Sequence, residues 1–468
     1  MPAAPMPTPD LLRRHDVSGP RYTSYPTADR FVDAFGEADY VAALRLARRA
    51  GPRAVRPLSV YVHIPYCEQL CHYCACNKIV TRHKSRGAEY LQLLKAELAL
   101  HVRHLADAAG PVRPRVSQLH LGGGTPTFLS DAELAELMDA LKTHFELVPG
   151  GEYAIEIDPR TVTRERLAHL AQLGFNRLSF GVQDFDPAVQ QAVHRVQPAE
   201  QVLALTADAR ELGFDAINAD LIYGLPKQTP ASFARTLEQL GQMRPDRVAL
   251  YAYAHLPQRF KPQRRIADGD LPSPADKLQM LANAIAQLGE LGYEHVGMDH
   301  FALPGDALAV AKRQGRMQRN FQGYSTQPDS DLIALGVSAI GRVGATYSQN
   351  AKTLEAYADA IARGHLPVVR GLALTREDLL RRAVIMAVMC QGELDIEALE
   401  TSHGVRFASH FDAELRRLQP LVAEGLVTLD ARALRVTPLG WYFVRAIAMV
   451  FDKHLQTDLD RARFSRII

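Results

Sequence analysis

The run Tyr66-Cys-Glu-Gln-Leu-Cys-His-Tyr-Cys-Ala-Cys-Asn-Lys78 contains four of the chain's five cysteines. The first three, Cys67, Cys71 and Cys74, have a C-x3-C-x2-C spacing, which brings three thiolates close enough to hold one compact polynuclear centre. A [4Fe–4S] cluster normally takes four cysteine ligands. Three thiolates therefore predict a cluster with one iron open to a substrate or cofactor.

Two other uses of the cysteines fit the spacing less well. Structural zinc usually draws on two separated pairs of Cys or His ligands, whereas these cysteines share one loop. A thioredoxin-like C-x2-C pair would leave Cys67 unexplained. Cys76, as a fourth ligand, would close the open iron position, so we expect it to lie near the cluster without binding it. Cys390, in an apolar helix, is predicted to be a small buried side chain.

Length and composition indicate an ordinary globular protein of several domains. The chain has 468 residues, 47% of them apolar and 23% charged, which favours two or three domains with a large buried core. The net charge of +2 gives no reason to expect nucleic acid or an anionic membrane as a partner. No apolar run reaches the roughly 18 residues that span a bilayer, and Met1–Pro9 lacks the features of a signal peptide. We expect a cytoplasmic enzyme that acts as a monomer.

From about residue 57 onward, short β-type runs alternate with longer helical patterns, which predicts parallel β/α units. The predicted strands are Leu58–Ile64, Gln118–Leu121, Tyr153–Ile157, Arg177–Phe180, Ala216–Ile222 and Val248–Tyr253. The predicted helices between them are Ala88–Leu105, Asp131–Phe145, Arg164–Leu173, Ala199–Leu212 and Ser232–Met243. Six units in series favour an α/β fold of the partial (β/α)6 barrel type, while a doubly wound sheet stays open as an alternative.

The notable motifs all follow predicted strands. In either architecture, ligands are expected at the carboxyl ends of the strands. The cysteine run follows the first strand, and the next four strands end in Gly122-Gly-Gly-Thr-Pro126, Glu156-Ile-Asp-Pro159, Gly181-Val-Gln-Asp184 and Asp220-Leu-Ile-Tyr-Gly224. Three successive glycines let the backbone approach a ligand that side chains would exclude, although a glycine run alone is more often a turn. We therefore expect these segments to meet at one site.

Beyond residue 270 the pattern changes. A predicted helix, Ser273–Leu291, leads into loop-rich sequence, and from about Thr375 the chain is mainly helical with a predicted hairpin at Leu426–Val436. Helices with a short hairpin indicate a winged-helix-like domain, but its charges are mixed, so we expect a structural or substrate-covering role rather than DNA binding. The predicted organisation is an N-terminal extension (1–55), the β/α partial barrel (56–300), a connecting and barrel-completing segment (301–374) and a helical C-terminal domain (375–468).

The cysteine motif resembles that of the radical S-adenosylmethionine (SAM) superfamily. Further segments are similar to one family within it, the oxygen-independent coproporphyrinogen III oxidases: Arg21–Thr27, Tyr61–Pro65, Cys74–Lys78, Gly297–Phe301 and Arg319–Tyr324. This likeness runs from about residue 20 to the C-terminus. One departure is Ala75, where the family pattern leads us to expect Gly. The substitution is small and bears only on the backbone geometry of the loop.

The resemblance implies a [4Fe–4S] cluster on Cys67, Cys71 and Cys74, with SAM on the fourth iron. It also implies SAM contacts at Tyr61, Tyr73, Gly123, Gly124, Thr125, Glu156, Gln183, Arg195, Asp220, Ala254 and Ile340. Members of the family bind two SAM molecules, and we expect two here. Taken singly, a carboxylate at a strand end is as often merely solvated. Arg195 could equally form a surface salt bridge, because Gln190–Arg195 also fits an exposed helix.

The resemblance further implies oxidative decarboxylation of two propionates of coproporphyrinogen III to vinyls, giving protoporphyrinogen IX by way of 5′-deoxyadenosyl radicals from SAM. An external one-electron donor such as a flavodoxin or ferredoxin would reduce the cluster. Because the substrate has four carboxylates, we expect basic side chains around it, with Arg21 and Arg319 as candidates. The alternative is a related haem chaperone without decarboxylase activity, which is expected to lack Arg21–Thr27 and the Cys76–Lys78 continuation.

Overall fold

The computed structural model describes residues 6–48, 56–109 and 113–456. Its strands are β1 (Leu58–Ile64), β2 (Tyr66–Cys67), β3 (Ile79–Val80), β4 (Arg115–Gly123), β5 (Glu146–Ile157), β6 (Arg177–Gln183), β7 (Ala216–Tyr223), β8 (Arg247–Ala252), β9 (Glu294–Gly297), β10 (His300–Ala302), β11 (Gln318–Asn320), β12 (Gly323–Ser325), β13 (Leu332–Leu335), β14 (Ile340–Val343), β15 (Thr346–Asn350), β16 (Val368–Ala373), β17 (Glu393–Asp395), β18 (Val427–Leu429) and β19 (Ala433–Val436).

The helices alternate with the strands through the middle of the chain and dominate its two ends. They are α1 (Pro9–Arg14), α2 (Glu37–Arg48), α3 (Ser85–Ala109), α4 (Asp131–His144), α5 (Arg164–Leu173), α6 (Pro187–Ala192), α7 (Ala199–Glu211), α8 (Pro230–Met243), α9 (Pro274–Glu290), α10 (Ala307–Arg313), α11 (Leu354–Ala362), α12 (Arg376–Met386), α13 (Ile396–His403), α14 (Phe407–His410), α15 (Asp412–Ala423), α16 (Val444–Met449) and α17 (Lys453–Gln456). Within the described ranges, none of these helices has the length and apolar character needed to cross a membrane.

One large sheet organises the molecule. Within the described residues it has twelve strands, in the order β16-β15-β14-β13-β1-β4-β5-β6-β7-β8-β10-β9. The central strands from β13 and β1 through β8 pair in parallel. Antiparallel strands extend both edges. The six predicted β/α strands are therefore adjacent in chain order, which confirms the partial barrel, and β13 adds a further parallel strand beside β1.

Local sequence explains why these elements form. All but one residue of β1 is buried, which is the pattern of a parallel strand covered on both faces. Helix α4 begins with a capping box, in which Ser130 accepts from the Glu133 amide and the Glu133 carboxylate accepts from the Ser130 amide. Helix α5 ends at Gly174, whose φ of 101° is the left-handed conformation that glycine adopts readily. These signals fix where each helix leaves the barrel.

The predicted element boundaries agree closely for some elements and less for others. The bounds of β1 and α5 match their predictions, whereas the strand predicted at Tyr153–Ile157 begins at Glu146. Pro149-Gly-Gly151 reads as a turn in sequence, yet the strand continues past it because the pairing of β5 with β4 shifts register there. The segment 301–374, expected to be loop-rich at its start, contains α10, α11 and strands β11–β16.

Two large hydrophobic cores lie within the described residues, together with one small cluster formed by Val189, Val193, Leu225, Tyr253 and Ile266. The larger core fills the barrel and packs its outer helices against the sheet. The second core joins the helical C-terminal region to α1, to Tyr22 and Tyr25, and to residues between Val296 and Tyr324. The predicted hairpin is present as β18 and β19, which form a three-stranded sheet with β17. Residues 457–468 of the predicted C-terminal domain lie outside the described residues, and the predicted domain boundaries stay predictions.

Candidate active site

The cysteine run forms a loop directly after β1. Cys67 lies in β2, which pairs in parallel with β3, so the two ends of the cysteine loop lie side by side. Cys71 is buried, Cys67 and Cys74 are half-buried, and Cys76 is exposed. All four line one cavity of about 350 Å³ at the carboxyl ends of the barrel strands.

Eleven of the fourteen predicted ligand and cofactor residues line this same cavity. They are Cys67, Cys71, Cys74, Tyr73, Gly123, Gly124, Thr125, Glu156, Gln183, Arg195 and Asp220. They come from the cysteine loop and from the ends of β4, β5, β6 and β7, together with the segment that follows α6. The expectation that the strand-end motifs meet at one site is therefore correct.

The other three predicted residues lie elsewhere in the neighbourhood. Tyr61 stacks on His120 with ring centroids 5.9 Å apart and bonds His63 Nδ1 through its hydroxyl at 3.1 Å. The Ala254 carbonyl accepts a hydrogen bond from Gln263. Ile340 is half-buried at the start of β14.

The sulfur atoms have hydrogen-bond donors around them. Thr125 Oγ1 lies 3.5 Å from Cys67 Sγ, and Arg195 Nη1 lies 3.5 Å from Cys71 Sγ. A hydrogen bond from Cys76 lowers the pKa of Cys74 to about 6. Donors aimed at sulfur stabilise thiolate, which is the form that binds metal. Among the described residues, no group of three His, Cys, Asp or Glu side chains is placed to hold a single metal ion.

The glycine run is required by the protein's own packing. A Cβ on Gly124 would come within 2.7 Å of the carbonyl oxygens of Pro65 and Tyr66, and one on Gly123 would come within 2.6 Å of His63. The amides are used internally, because Gly124 N donates to Ile64 O at 2.8 Å and Gly123 N donates to Glu156 at 3.1 Å. The run thus fixes the cysteine loop against β4.

Two carboxylates, Glu156 and Asp220, line the cavity. Desolvation opposes ionisation of Glu156, but the hydrogen bond from His120 at 3.1 Å, the charge of His120 and the hydrogen bond from the Gly123 amide together outweigh it, so the Glu156 pKa lies below its ordinary value. Burial, with the charge of Glu156, raises the pKa of Asp220 to about 6. Asn218 and Ser179 donate to Asp220 at 2.9 and 3.3 Å. A cationic ligand between the two carboxylates would favour the ionised form of both.

Arg195 is part of a buried ion-pair network. It is 7% exposed and lies three residues beyond the end of α6, so the alternative of a surface salt bridge on an exposed helix is wrong. Its guanidinium donates to Asp158 Oδ2 at 3.2 Å and to the Gly181 carbonyl at 2.6 Å. Gln183, beside it, has a φ of 67°, a strained conformation for this residue type that is often found at functional sites.

Sequence reasoning missed Asp158 and Arg160. Arg160 pairs with Asp158 through two nitrogens at 2.6 and 2.9 Å, donates to Gln69 Oε1 at 2.9 Å, and places Nη2 3.7 Å from Cys71 Sγ. The signal was present for Asp158, which stands two residues after Glu156 at the same strand end. Arg160 follows a proline in a short 3₁₀ turn, and the sequence gives no indication that it turns back toward the cysteine loop.

Arg21 and Arg319, the candidates for substrate carboxylates, lie outside the cavity lining. Arg21 is ion-paired with Asp299, and its guanidinium lies 4.8 Å from the ring centroid of Tyr251, which does line the cavity. Arg319 is 5% exposed and donates to the Arg21 carbonyl at 3.1 Å. The two arginines therefore adjoin the cavity through Tyr251 and are already partly engaged.

Comparisons with known proteins agree with this site. The Radical SAM superfamily model matches residues 61–240, and the HemN C-terminal domain model matches residues 374–443. The oxygen-independent coproporphyrinogen III oxidase of Pseudomonas aeruginosa is 50% identical over 461 residues, 98% of each chain. That of Escherichia coli is 46% identical over 458 residues, again 98% of each chain.

A solved structure extends the likeness to three dimensions. The coproporphyrinogen III oxidase of Escherichia coli, described as a radical SAM enzyme, superposes with a TM-score of 0.88 at 47% identity, covering 93% of this chain and 98% of that one. Similarity of this extent, over nearly the full length of both chains, shows that the chain belongs to the oxygen-independent coproporphyrinogen III oxidase family of the radical SAM superfamily.

Proposed function

We propose that this protein converts coproporphyrinogen III to protoporphyrinogen IX by oxidative decarboxylation of two propionates to vinyls. The observation that carries the proposal is one cavity lined by the four cysteines of the loop, the glycine run and the carboxylates of Glu156 and Asp220. When bound, a [4Fe–4S] cluster and SAM supply a 5′-deoxyadenosyl radical that can remove a hydrogen from a propionate side chain. The chain's own residues must hold, orient and shield these groups.

We assign Cys67, Cys71 and Cys74 as the cluster ligands. The donor set fits, because thiolates are the usual ligands of iron–sulfur clusters and the sulfurs of Cys67 and Cys71 each have a hydrogen-bond donor nearby. We assign Cys76 to a supporting role, since it is exposed and hydrogen-bonded to Cys74. This assignment leaves the fourth iron for SAM.

We assign the SAM contacts to the strand ends. The amides of Gly123 and Gly124 are already engaged, so the run can offer a ligand only carbonyl oxygens, which accept hydrogen bonds from an ammonium group. Glu156 and Asp220 suit ribose hydroxyls and the positive charge of a sulfonium. Arg195 is engaged by Asp158, so it positions the wall beside Cys71 and has limited freedom to bind a carboxylate.

The remaining predicted contacts belong to the surroundings of the cavity. We keep Tyr61, Tyr73, Ala254 and Ile340 as contacts of a first or second SAM molecule. We also propose that Arg21 and Arg319 attract substrate carboxylates from behind Tyr251. A one-electron donor such as a flavodoxin or ferredoxin would reduce the cluster. The cytoplasmic location and the monomeric state stay predictions.

An anaerobic assay tests the proposed reaction. Reconstituted protein, SAM, dithionite and coproporphyrinogen III are expected to yield protoporphyrinogen IX and 5′-deoxyadenosine, measured by chromatography with mass detection. Omission of SAM should abolish both products. Tight haem binding with no decarboxylation would contradict the proposal and support the haem-chaperone alternative.

A further inference from the structure

Two basic segments contact the cysteine loop. The first basic segment, residues 78–86, has the sequence Lys-Ile-Val-Thr-Arg-His-Lys-Ser-Arg, and the second, residues 259–265, has the sequence Arg-Phe-Lys-Pro-Gln-Arg-Arg. Each contains four Lys or Arg and no Asp or Glu. The whole chain balances 54 basic against 52 acidic residues. Sixteen residues beside the loop thus hold a strong local excess of positive charge.

The first basic segment is joined to the loop by backbone and side-chain contacts. Thr81 N donates to the Cys67 carbonyl at 2.9 Å, and Lys78 Nζ donates to the Cys74 carbonyl at 3.2 Å. The exposed residues 75–77 lead directly into this segment. The segment is therefore hydrogen-bonded directly to the backbone of two predicted cluster ligands, Cys67 and Cys74.

The second basic segment reaches the same loop from another part of the chain. The buried side chain of Gln263 donates to the Tyr73 carbonyl at 2.9 Å and to the Ala254 carbonyl at 3.2 Å. Tyr73 stands between Cys71 and Cys74 in the loop. Lys261, Arg264 and Arg265 surround Gln263 in sequence and are exposed. The two segments therefore both contact the cysteine loop, one at Cys67 and Cys74 and the other at Tyr73.

Few of these cations pair with a carboxylate among the described residues. Lys84 pairs with Glu68 at 2.5 Å. Within the part of the chain that the structure describes, Arg82, Arg86 and Arg265 form no ion pair. Val80, in the first segment, is 43% exposed, which is high for a large apolar residue. An apolar contact within a charged surround is typical of protein docking sites.

We propose that this basic face, residues 75–86 with 259–265, is the docking surface of the electron donor, and that the donor is a small acidic one-electron carrier protein. The proposal rests on the proposed function, because only a reducible cluster needs a donor. An electron must enter through the protein layer nearest the cluster, and this face covers the loop that holds it. Opposite charges would steer the encounter and orient the carrier.

Stopped-flow reduction of the reconstituted enzyme by flavodoxin hydroquinone, an acidic carrier, tests the proposal. The double variant Arg82→Glu/Arg265→Glu should lower the second-order rate constant about tenfold or more at low ionic strength. The wild-type rate should fall as salt is added, while the variant should respond weakly. Arg316→Glu/Arg416→Glu, with the same charge change at exposed residues far from the loop in sequence, should reduce like the wild type.

Dithionite separates failure of docking from failure of the proposed function. With dithionite as reductant, the Arg82→Glu/Arg265→Glu variant should show wild-type cluster absorbance and a wild-type yield of 5′-deoxyadenosine. Absence of a cluster or of product in the wild type would overturn the proposed function itself. Equal rates of reduction by flavodoxin in the variant and the wild type would overturn the docking surface. A raised KM for coproporphyrinogen III together with those equal rates would show instead that this face steers the substrate.

Discussion

The cavity at the strand ends and the buried charge cluster around Asp299 are assembled from the sequence in opposite ways. Each wall of the cavity is a short motif whose residues are neighbours in the chain. Around Asp299, by contrast, Arg21 and Arg445 come from the two ends of the chain, and Arg445 donates to the carbonyl of Pro20 at 3.1 Å. The first region can be recognised from spacing, whereas the second becomes visible only after folding.

The difference has a functional meaning. The cavity presents side chains toward a ligand, with Glu156 and Asp220 left to face an added cation. The charges around Asp299 hold the N-terminal segment against the barrel and the C-terminal region. A second contact between the two ends of the chain is the Tyr22 hydroxyl, which donates to Asp452 at 3.0 Å. We therefore expect substitutions in the cavity to change chemistry and substitution of Asp299 to change stability.

The largest effect is expected at the cluster ligands. Cys71→Ala should abolish the iron–sulfur absorbance of the reconstituted protein and its activity, because two thiolates cannot hold the cluster. Cys76→Ala should keep most of the absorbance, since we place it outside the ligand set. Cys390→Ala, in the second core, is the matched control and should keep the full spectrum. Loss of the cluster in the Cys76 variant would refute the ligand assignment.

A stability effect of about 3 kcal/mol is expected for Asp299→Asn, because it removes the ion pair with Arg21 and the negative charge near Arg319 and Arg445 in a desolvated site. Urea unfolding measures this change. Asp412→Asn removes an exposed carboxylate paired with Arg416 and should change stability by less than about 0.5 kcal/mol. Equal stability of the two variants would show that the Asp299 cluster does not fasten the N-terminal segment.

Glu97 links pH to the stability of the barrel core. Burial raises its pKa to about 7, although Tyr357 and Asn350 donate to it at 2.6 and 2.7 Å. Between about pH 4.5 and 7 the folded protein therefore retains a proton on Glu97 that the unfolded chain has lost. The stabilisation that this proton gives is fully present below about pH 4.5 and is lost as the pH rises through about 7.

The corresponding measurement compares wild type with Glu97→Gln. From pH 5 to pH 8 the free energy of unfolding of the wild type should fall by about 2 kcal/mol more than that of the variant, as measured by urea unfolding at each pH. Parallel pH profiles for the two proteins would contradict the prediction. His295 and His300 cannot produce such a slope, because burial lowers the pKa of each to about 3.

The smallest of these effects is expected for Arg160→Gln, which removes a donor 3.7 Å from Cys71 Sγ and the pair with Asp158. Outer hydrogen-bond partners of metal ligands commonly contribute about tenfold or more in activity. We expect a loss of about tenfold, with the cluster retained and its electron paramagnetic resonance spectrum altered. Arg164→Gln, at an exposed residue that pairs with Asp208 and Glu211, should leave the spectrum unchanged.

Much of the barrel and its cavity could be predicted because the relevant signals are local. Strand β1 is a short, mainly apolar run, and the cysteines, glycines and Glu156 stand at or directly after the ends of strands. The contacts of Arg160 with Gln69 and of Asp299 with Arg21 could not be predicted, because these partners lie 91 and 278 residues away in sequence, respectively. Strands β13–β16 were missed for a related reason, since three of them extend the sheet antiparallel and break the β/α period.

The most direct test of the account is an anomalous difference map at the iron edge, from anaerobically reconstituted crystals grown with SAM. We predict one four-iron peak in the cavity, bonded to the sulfurs of Cys67, Cys71 and Cys74, with one SAM molecule on the fourth iron beside Glu156 and the glycine run. Bonding of the fourth iron to Cys76, or a cluster with no SAM on its fourth iron, would contradict the proposed site.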